Sequence, residues 1–189
     1  MGRGVMVPEK ALSFHAKAIR CFNKGKLAKG LQFGRAFQLG RMGGNFLLVG
    51  ACTSLRMDDT DAVRPMTAEH QDLFGKGTLK SCGTDKGYYS AANRQYLQSL
   101  EGLHEFCLQQ PGLDLSRLLE GETAMHARLV HRRSGIEPLI GHAKHGGQLG
   151  QSRMKHDETT LAAGYGAAGG FNLRQLVRHL LGKEIKVMG

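Results

Sequence analysis

Tryptophan is absent from this chain of 189 residues, and cysteine and proline occur only four times each. The cysteines, Cys21, Cys52, Cys82 and Cys107, stand 25 to 31 positions apart. That spacing excludes a zinc knuckle or a close dithiol pair and leaves reduced, packed thiols as the reading for a cytosolic chain. No apolar run approaches the ~18 residues that a membrane span needs, and no lipidation motif is visible. The opening stretch MGRGVMVPEKALSF has no apolar core of signal-peptide length. A cytoplasmic chain with no membrane partner is expected. Negative charge is also scarce: 16 acids face 26 lysines and arginines, for a net charge of +10, and no aspartate lies between Met1 and Met57. A domain this basic is expected to meet a polyanion, either nucleic acid or an anionic membrane surface, and the missing span and lipidation motif count against the second. The 27 glycines are scattered, with no collagen or linker period. The length suggests one domain over residues 1–189, long enough for a sizeable core.

Against that scarcity, one acid stands out. Glu137 has no acidic neighbour between Arg128 and Arg153, while Arg132 and Arg133 precede it and His142, Lys144 and His145 follow. Ser134-x-x-Glu137 matches a helix capping box, with Pro138 tolerated in a first turn. The other reading is a metal-binding carboxylate among cations that hold nucleic acid. A helix from about Ser134 would set Glu137, Gly141 and Lys144 on one face. His142-x-x-His145 lacks an acidic or cysteine partner at zinc spacing. Asp85 lies at the end of an expected strand, before a glycine turn into a helix, where α/β folds place functional groups; a solvated turn aspartate is the alternative. Asp58, Asp59 and Asp61 suit a helix start and lack the spacing of a calcium loop.

The coarse pattern alternates strands and helices. Strands are predicted at Phe33–Leu39 and Asn45–Leu55, joined by an Arg41–Gly44 turn as an antiparallel pair, and at Thr78–Thr84 and Leu103–Leu108. Helices are predicted at Thr60–Phe74, with Val63, Met66 and Leu73 buried and Gly75 as stop, at Ser90–Leu100 with Ser90 as cap, and at Glu122–Arg132, interrupted near Gly135. A closing helix at Glu158–Leu181 would bury Leu161, Tyr165, Ala168, Leu173, Leu176, Val177 and Leu180, and the tail 183–189 would fray.

Four stretches carry a resemblance. Arg132–Lys144, RRSGIEPLIGHAK, holds Arg133, Glu137 and Lys144 with three and six residues between them. Thr84–Asn93 reads TDKGYYSAAN, Lys10–Lys26 reads KALSFHAKAIRCFNKGK, and Asn172–Arg178 reads NLRQLVR. Together they resemble the catalytic domain of bacterial insertion-sequence transposases with a DDE core, from about Ala11 to Leu181, with the Asp85 and Glu137 stretches in that family's order along the chain. Val130 stands where that family usually has tyrosine, and Gln32 where relatives commonly have glutamate. The resemblance implies a ribonuclease-H-like α/β fold, a mixed sheet with flanking helices. It implies three acids holding two divalent cations, Mg²⁺ or Mn²⁺, for DNA strand cleavage and strand transfer. Asp85 and Glu137 match the second and third acids. Lys24, Lys26, Arg132, Arg133 and Lys144 would contact the DNA backbone. The first acid would lie on a first strand upstream of Ser13–Lys26, and this chain has none there. The expectation is therefore an N-terminally truncated catalytic domain without its first strand, inactive by itself. The alternative is a non-catalytic remnant that binds DNA or a full-length transposase; a homo-oligomer is the other expected partner.

Overall fold

The computed structural model describes residues 19–22, 32–51, 58–110, 112, 120–151 and 153–188. They form a mixed α/β structure of six short strands and five α-helices. The strands pair two by two: β1 (Arg20–Phe22) with β2 (Gln32–Gly34), β3 (Phe37–Arg41) with β4 (Leu47–Ala51), and β5 (Ser81–Gly83) with β6 (Glu105–Cys107). The first two pairs are antiparallel and the third is parallel. The single mixed sheet expected from the resemblance is thus, among the described residues, three separate ladders.

The expected strand Phe33–Leu39 is broken at Arg35 and Ala36, between β2 and β3. The break coincides with Arg35, whose side chain is only 9% exposed and meets the Asp157 carboxylate at 3.7 Å. The β3–β4 hairpin runs from Phe37 opposite Ala51 to Arg41 opposite Leu47. Its turn sits slightly later than expected, at Gly43–Asn45, where Gly44 and Asn45 take φ of 70° and 61°, a left-handed conformation those two residue types accept most readily. Leu47, Leu48 and Val49 are buried, as their unbroken apolar run predicted.

The acids after β4 cap a helix. Asp58 and Asp61 form a reciprocal capping box at the turn Asp59–Ala62, which leads into α1 (Val63–Phe74) and satisfies backbone N–H groups otherwise left open. Gly75, at φ 93°, ends α1. Val63 and Thr67 are buried, but Leu73 is 60% exposed, so the buried face stops short of the predicted one. Ser90 caps α2 (Ala91–Ser99) by accepting the Asn93 N–H. Val63, Leu97 and Leu108 form one core, with Tyr88, Tyr96 and Phe106 packed against it.

Cys82 on β5 is half-buried beside β6. Burial, and second the charge of Cys107, push its thiol up from 9.0 to about 11. The thiolate is the nucleophile, so alkylation of folded Cys82 should be slow at neutral pH and rise toward pH 11. A rate that levels off near the ordinary ~8.5 would contradict this. The folded thiol keeps its proton longer than the unfolded one. Its contribution to stability is therefore intact below pH 9 and lost as pH rises through about 11.

The Ser134–Glu137 capping box does not form. α3 runs through Glu120–Ser134, and α4 starts at Ile136 (Ile136–Gly146) with Gly135 before it. The Ser134 hydroxyl donates back to the His131 carbonyl. What turns the chain here is Arg41: its guanidinium donates to the Arg132 carbonyl at 2.7 Å and to Asn45 Oδ1. A Cβ at position 135 would stand 2.5 Å from Arg41 Nη1, so glycine admits the arginine. The last helix, α5 (Asp157–Met188), continues past Gly182 rather than ending at Leu181. Ala168 and Phe171 are buried, and Phe171 joins Leu47, Leu139 and Ala143 in a second core. Leu173, Leu176, Val177 and Leu180, expected on the buried face, are 45–61% exposed, and Tyr165 is 41% exposed.

Candidate nucleic-acid interface

Asp85 comes two residues after β5, as the N-cap of a single 3₁₀ turn, Lys86–Tyr88. Its Oδ1 accepts the Lys86 N–H at 2.8 Å. The other carboxylate oxygen, Oδ2, accepts from Arg133 Nη2, also at 2.8 Å. Arg133 lies in the last turn of α3 and Glu137 in the first turn of α4. Glu137 Oε1 stands 3.7 Å from that same Nη2. One guanidinium nitrogen therefore gathers two carboxylates that are remote in sequence, and their oxygens can be no further apart than those two distances combined. The side chains of Arg133, Asp85 and Glu137 are 25%, 50% and 69% exposed. Ion pairs this wet contribute little to stability; the arrangement of charge is the more informative feature.

The surroundings are cationic. Asp85, Arg132, Arg133 and Lys144 line one open groove of about 1940 Å³. Arg132 Nη1 donates to Ser81 Oγ at 3.3 Å. Lys144 is exposed on α4, two helical turns beyond Glu137, and the helix carries Glu137, Gly141 and Lys144 without interruption. The structure thus brings Asp85, Glu137, Arg132 and Arg133 together, with Lys144 on the same groove. Lys24 and Lys26 lie outside the described residues.

A divalent cation is the group to test against this donor set. Asp85 and Glu137 offer hard oxygens, the type that Mg²⁺ and Mn²⁺ take. Two carboxylates fit one ion whose remaining positions are filled by water. Among the described residues no three His, Cys, Asp or Glu side chains gather as a metal site, and that includes His142 and His145. Of the acids before α1, Asp58 and Asp61 are used by the helix cap. Asp59 faces the groove with Asp85, accepts from Gln38 at 3.4 Å, and lies 2.7 Å from where a Cβ on Gly87 would stand. Gln38 in turn accepts a hydrogen bond from the Tyr88 hydroxyl.

Arg41, Gln38 and Asp59 tie β3 and the start of α1 to the Asp85 turn and the α3–α4 junction. The sequence marked Arg41 as a turn residue and Asp59 as a helix-start acid; nothing local marked Gln38 or the contacts the three make across the fold. No protein-family model, no curated protein and no solved structure matches the chain.

Proposed function

We propose that this chain acts on DNA phosphodiesters as part of a ribonuclease-H-like catalytic domain of the DDE transposase kind, with Asp85 and Glu137 as two of its acids. The observation that carries the reading is the meeting of Asp85 and Glu137 at one Arg133 nitrogen. The two stretches that resemble the transposase motifs are far apart in sequence, and the fold puts their acids side by side. The net charge of +10 supports a polyanionic substrate. A cytoplasmic site of action belongs to the same reading.

Each residue has a chemical task. Asp85 and Glu137 would hold a Mg²⁺ or Mn²⁺ ion. When bound, the ion supplies Lewis-acid polarisation of a phosphoryl oxygen. Arg133, released from the two carboxylates, would turn its fork to a phosphate, a geometry guanidinium matches in two-point fashion. Arg132 and Lys144 neutralise neighbouring phosphates and set the register of the backbone without reading sequence.

A second reading is a non-catalytic protein that binds DNA or a full-length transposase. One observation favours it: Arg133 already occupies the space between the two acids. Manganese binding separates the two readings. Titration of Mn²⁺ followed by electron paramagnetic resonance is expected to show one bound ion. Asp85→Asn and Glu137→Gln should each weaken it at least ~tenfold, the scale on which metal sites respond to altered ligand shells. Binding that both variants leave unchanged would contradict the assignment, and no binding at all would favour the non-catalytic reading.

A further inference from the structure

A second, smaller pocket lies between α4 and α5. It encloses about 90 Å³ and is lined by His142, Gly146, Phe171, Arg174, Gln175 and Arg178, none of which lines the Asp85 groove. His142 and Gly146 stand four positions apart on α4, and Arg174 and Arg178 four apart on α5, so each pair occupies one helix face. At about 3.6 residues per turn, the His142 face is turned well away from that of Glu137 and Lys144. The His142-x-x-His145 pair is therefore divided: His145 lines the groove and His142 the pocket.

The pocket lining is basic and holds no acid. Arg35, Arg128 and Arg133 each meet a carboxylate, but among the described residues no carboxylate meets Arg174 or Arg178. Like charges four positions apart on a helix repel, so this pair is unfavourable unless an anion lies between the two. A Cβ on Gly146 would stand 3.3 and 3.6 Å from the two terminal nitrogens of Arg174, which places the fork against the last residue of α4. The negative end of the α4 dipole suits that guanidinium, but it leaves Arg178 without a counter-charge.

We propose that this pocket binds a single phosphate group as a dianion. Each guanidinium presents a planar fork that matches two phosphate oxygens, and the Gln175 amide adds a donor beside them. Two guanidinium charges match the nearly double charge of a phosphate monoester better than the single charge of a backbone diester. The volume exceeds the roughly 10–15 Å³ that one water requires and falls short of the roughly 300 Å³ at which pockets for drug-sized ligands begin. It suits one small group. That group is either the free ion or the phosphorylated end of a nucleic-acid strand, since the recognition chemistry is the same for both.

The pocket shares no residue with the groove, so the test uses the full chain without duplex DNA or metal. The Nε–H signals of Arg174 and Arg178 are followed by ¹H–¹⁵N NMR as inorganic phosphate is added at constant ionic strength, with chloride as the balancing anion. The expected result is a saturable shift at both arginines. Arg174→Gln and Arg178→Gln should each weaken binding at least ~tenfold, because each removes charge-assisted hydrogen bonds. Gly146→Leu keeps every charge but fills the space against Arg174, and it should weaken binding as much. Arg128→Gln, which removes one positive charge beside Glu105, should leave it unchanged. Gly146, Arg174 and Arg178 are exposed, so none of these variants opens the core. A 5′-phosphorylated trinucleotide that saturates the two signals at lower concentration than inorganic phosphate would identify a strand end as the source; otherwise the free ion is the ligand. The proposal is overturned if neither probe shifts both arginines saturably, or if Gly146→Leu binds as the parent chain does. It is overturned as well if Arg128→Gln weakens binding as much as Arg174→Gln, or if the trinucleotide binds equally well without its 5′-phosphate.

Discussion

Asn172→Ala is expected to lower folding stability by about 2–4 kcal/mol, the sum of two backbone groups left unsatisfied in a partly buried setting. Asn172, on α5, uses its side-chain amide as a strand neighbour would use its backbone. Its Nδ2 donates to the Leu47 carbonyl and its Oδ1 accepts the Leu47 N–H, both at 2.8 Å. Leu47 is 2% exposed and belongs to the core that holds α4 and α5 against the hairpin. Alanine removes both partners and opens that seam. For a chain of this size the loss corresponds to a fall of about 5–15 °C in melting temperature. Asn172→Asp should fall between, because a carboxylate still accepts the N–H but cannot donate to the carbonyl. Leu173→Ala, one residue on but 61% exposed, should stay within about 0.5 kcal/mol of the parent chain. Thermal unfolding of the three variants checks the order. An alanine variant as stable as the parent would mean that the Asn172–Leu47 bridge does not hold the two elements together.

What the sequence made legible was local. Ser90, Gly75 and the acids before α1 act through groups only a few residues away, so residue type and spacing were enough to place two helix starts and one stop. The Gly-rich turn and the apolar run after it likewise marked the hairpin. What stayed hidden depends on groups far apart in the chain. Ser134 and Glu137 match a capping box in spacing, but Arg41, 91 positions from Arg132, enters above Gly135 and settles the junction differently. The split of the expected strand coincides with Arg35, whose partner Asp157 lies on α5. The apolar positions 173, 176, 177 and 180 have helical spacing, which reports a face but not whether anything covers it; Gly164, Phe171, Asn172 and His179 are among the residues that meet the hairpin. For the site, sequence spacing nominated Asp85, Glu137 and their cations. It did not reveal that Arg133 would bind both acids, since an ion pair between two helix ends and a strand end has no local signature.

The claim at the centre of this account is that the Asp85–Arg133–Glu137 face meets a nucleic-acid backbone. Its most direct test is the salt dependence of DNA binding. Each phosphate neutralised by a lysine or arginine releases counterions, so log affinity falls linearly with log salt, by about 0.9 per contact on duplex DNA. If Arg132, Arg133 and Lys144 each meet a phosphate, removing all three should reduce that slope by roughly three units, about one per residue. Fluorescence anisotropy with a labelled duplex of arbitrary sequence, from about 50 to 200 mM salt, measures this for the parent chain and for the triple variant Arg132→Ala, Arg133→Ala, Lys144→Ala. The account predicts that the parent loses at least ~tenfold in affinity across that range, equally for unrelated sequences, and that the variant binds more weakly with the shallower slope. A parent chain whose binding ignores salt, or a variant with the parent's slope, would contradict it.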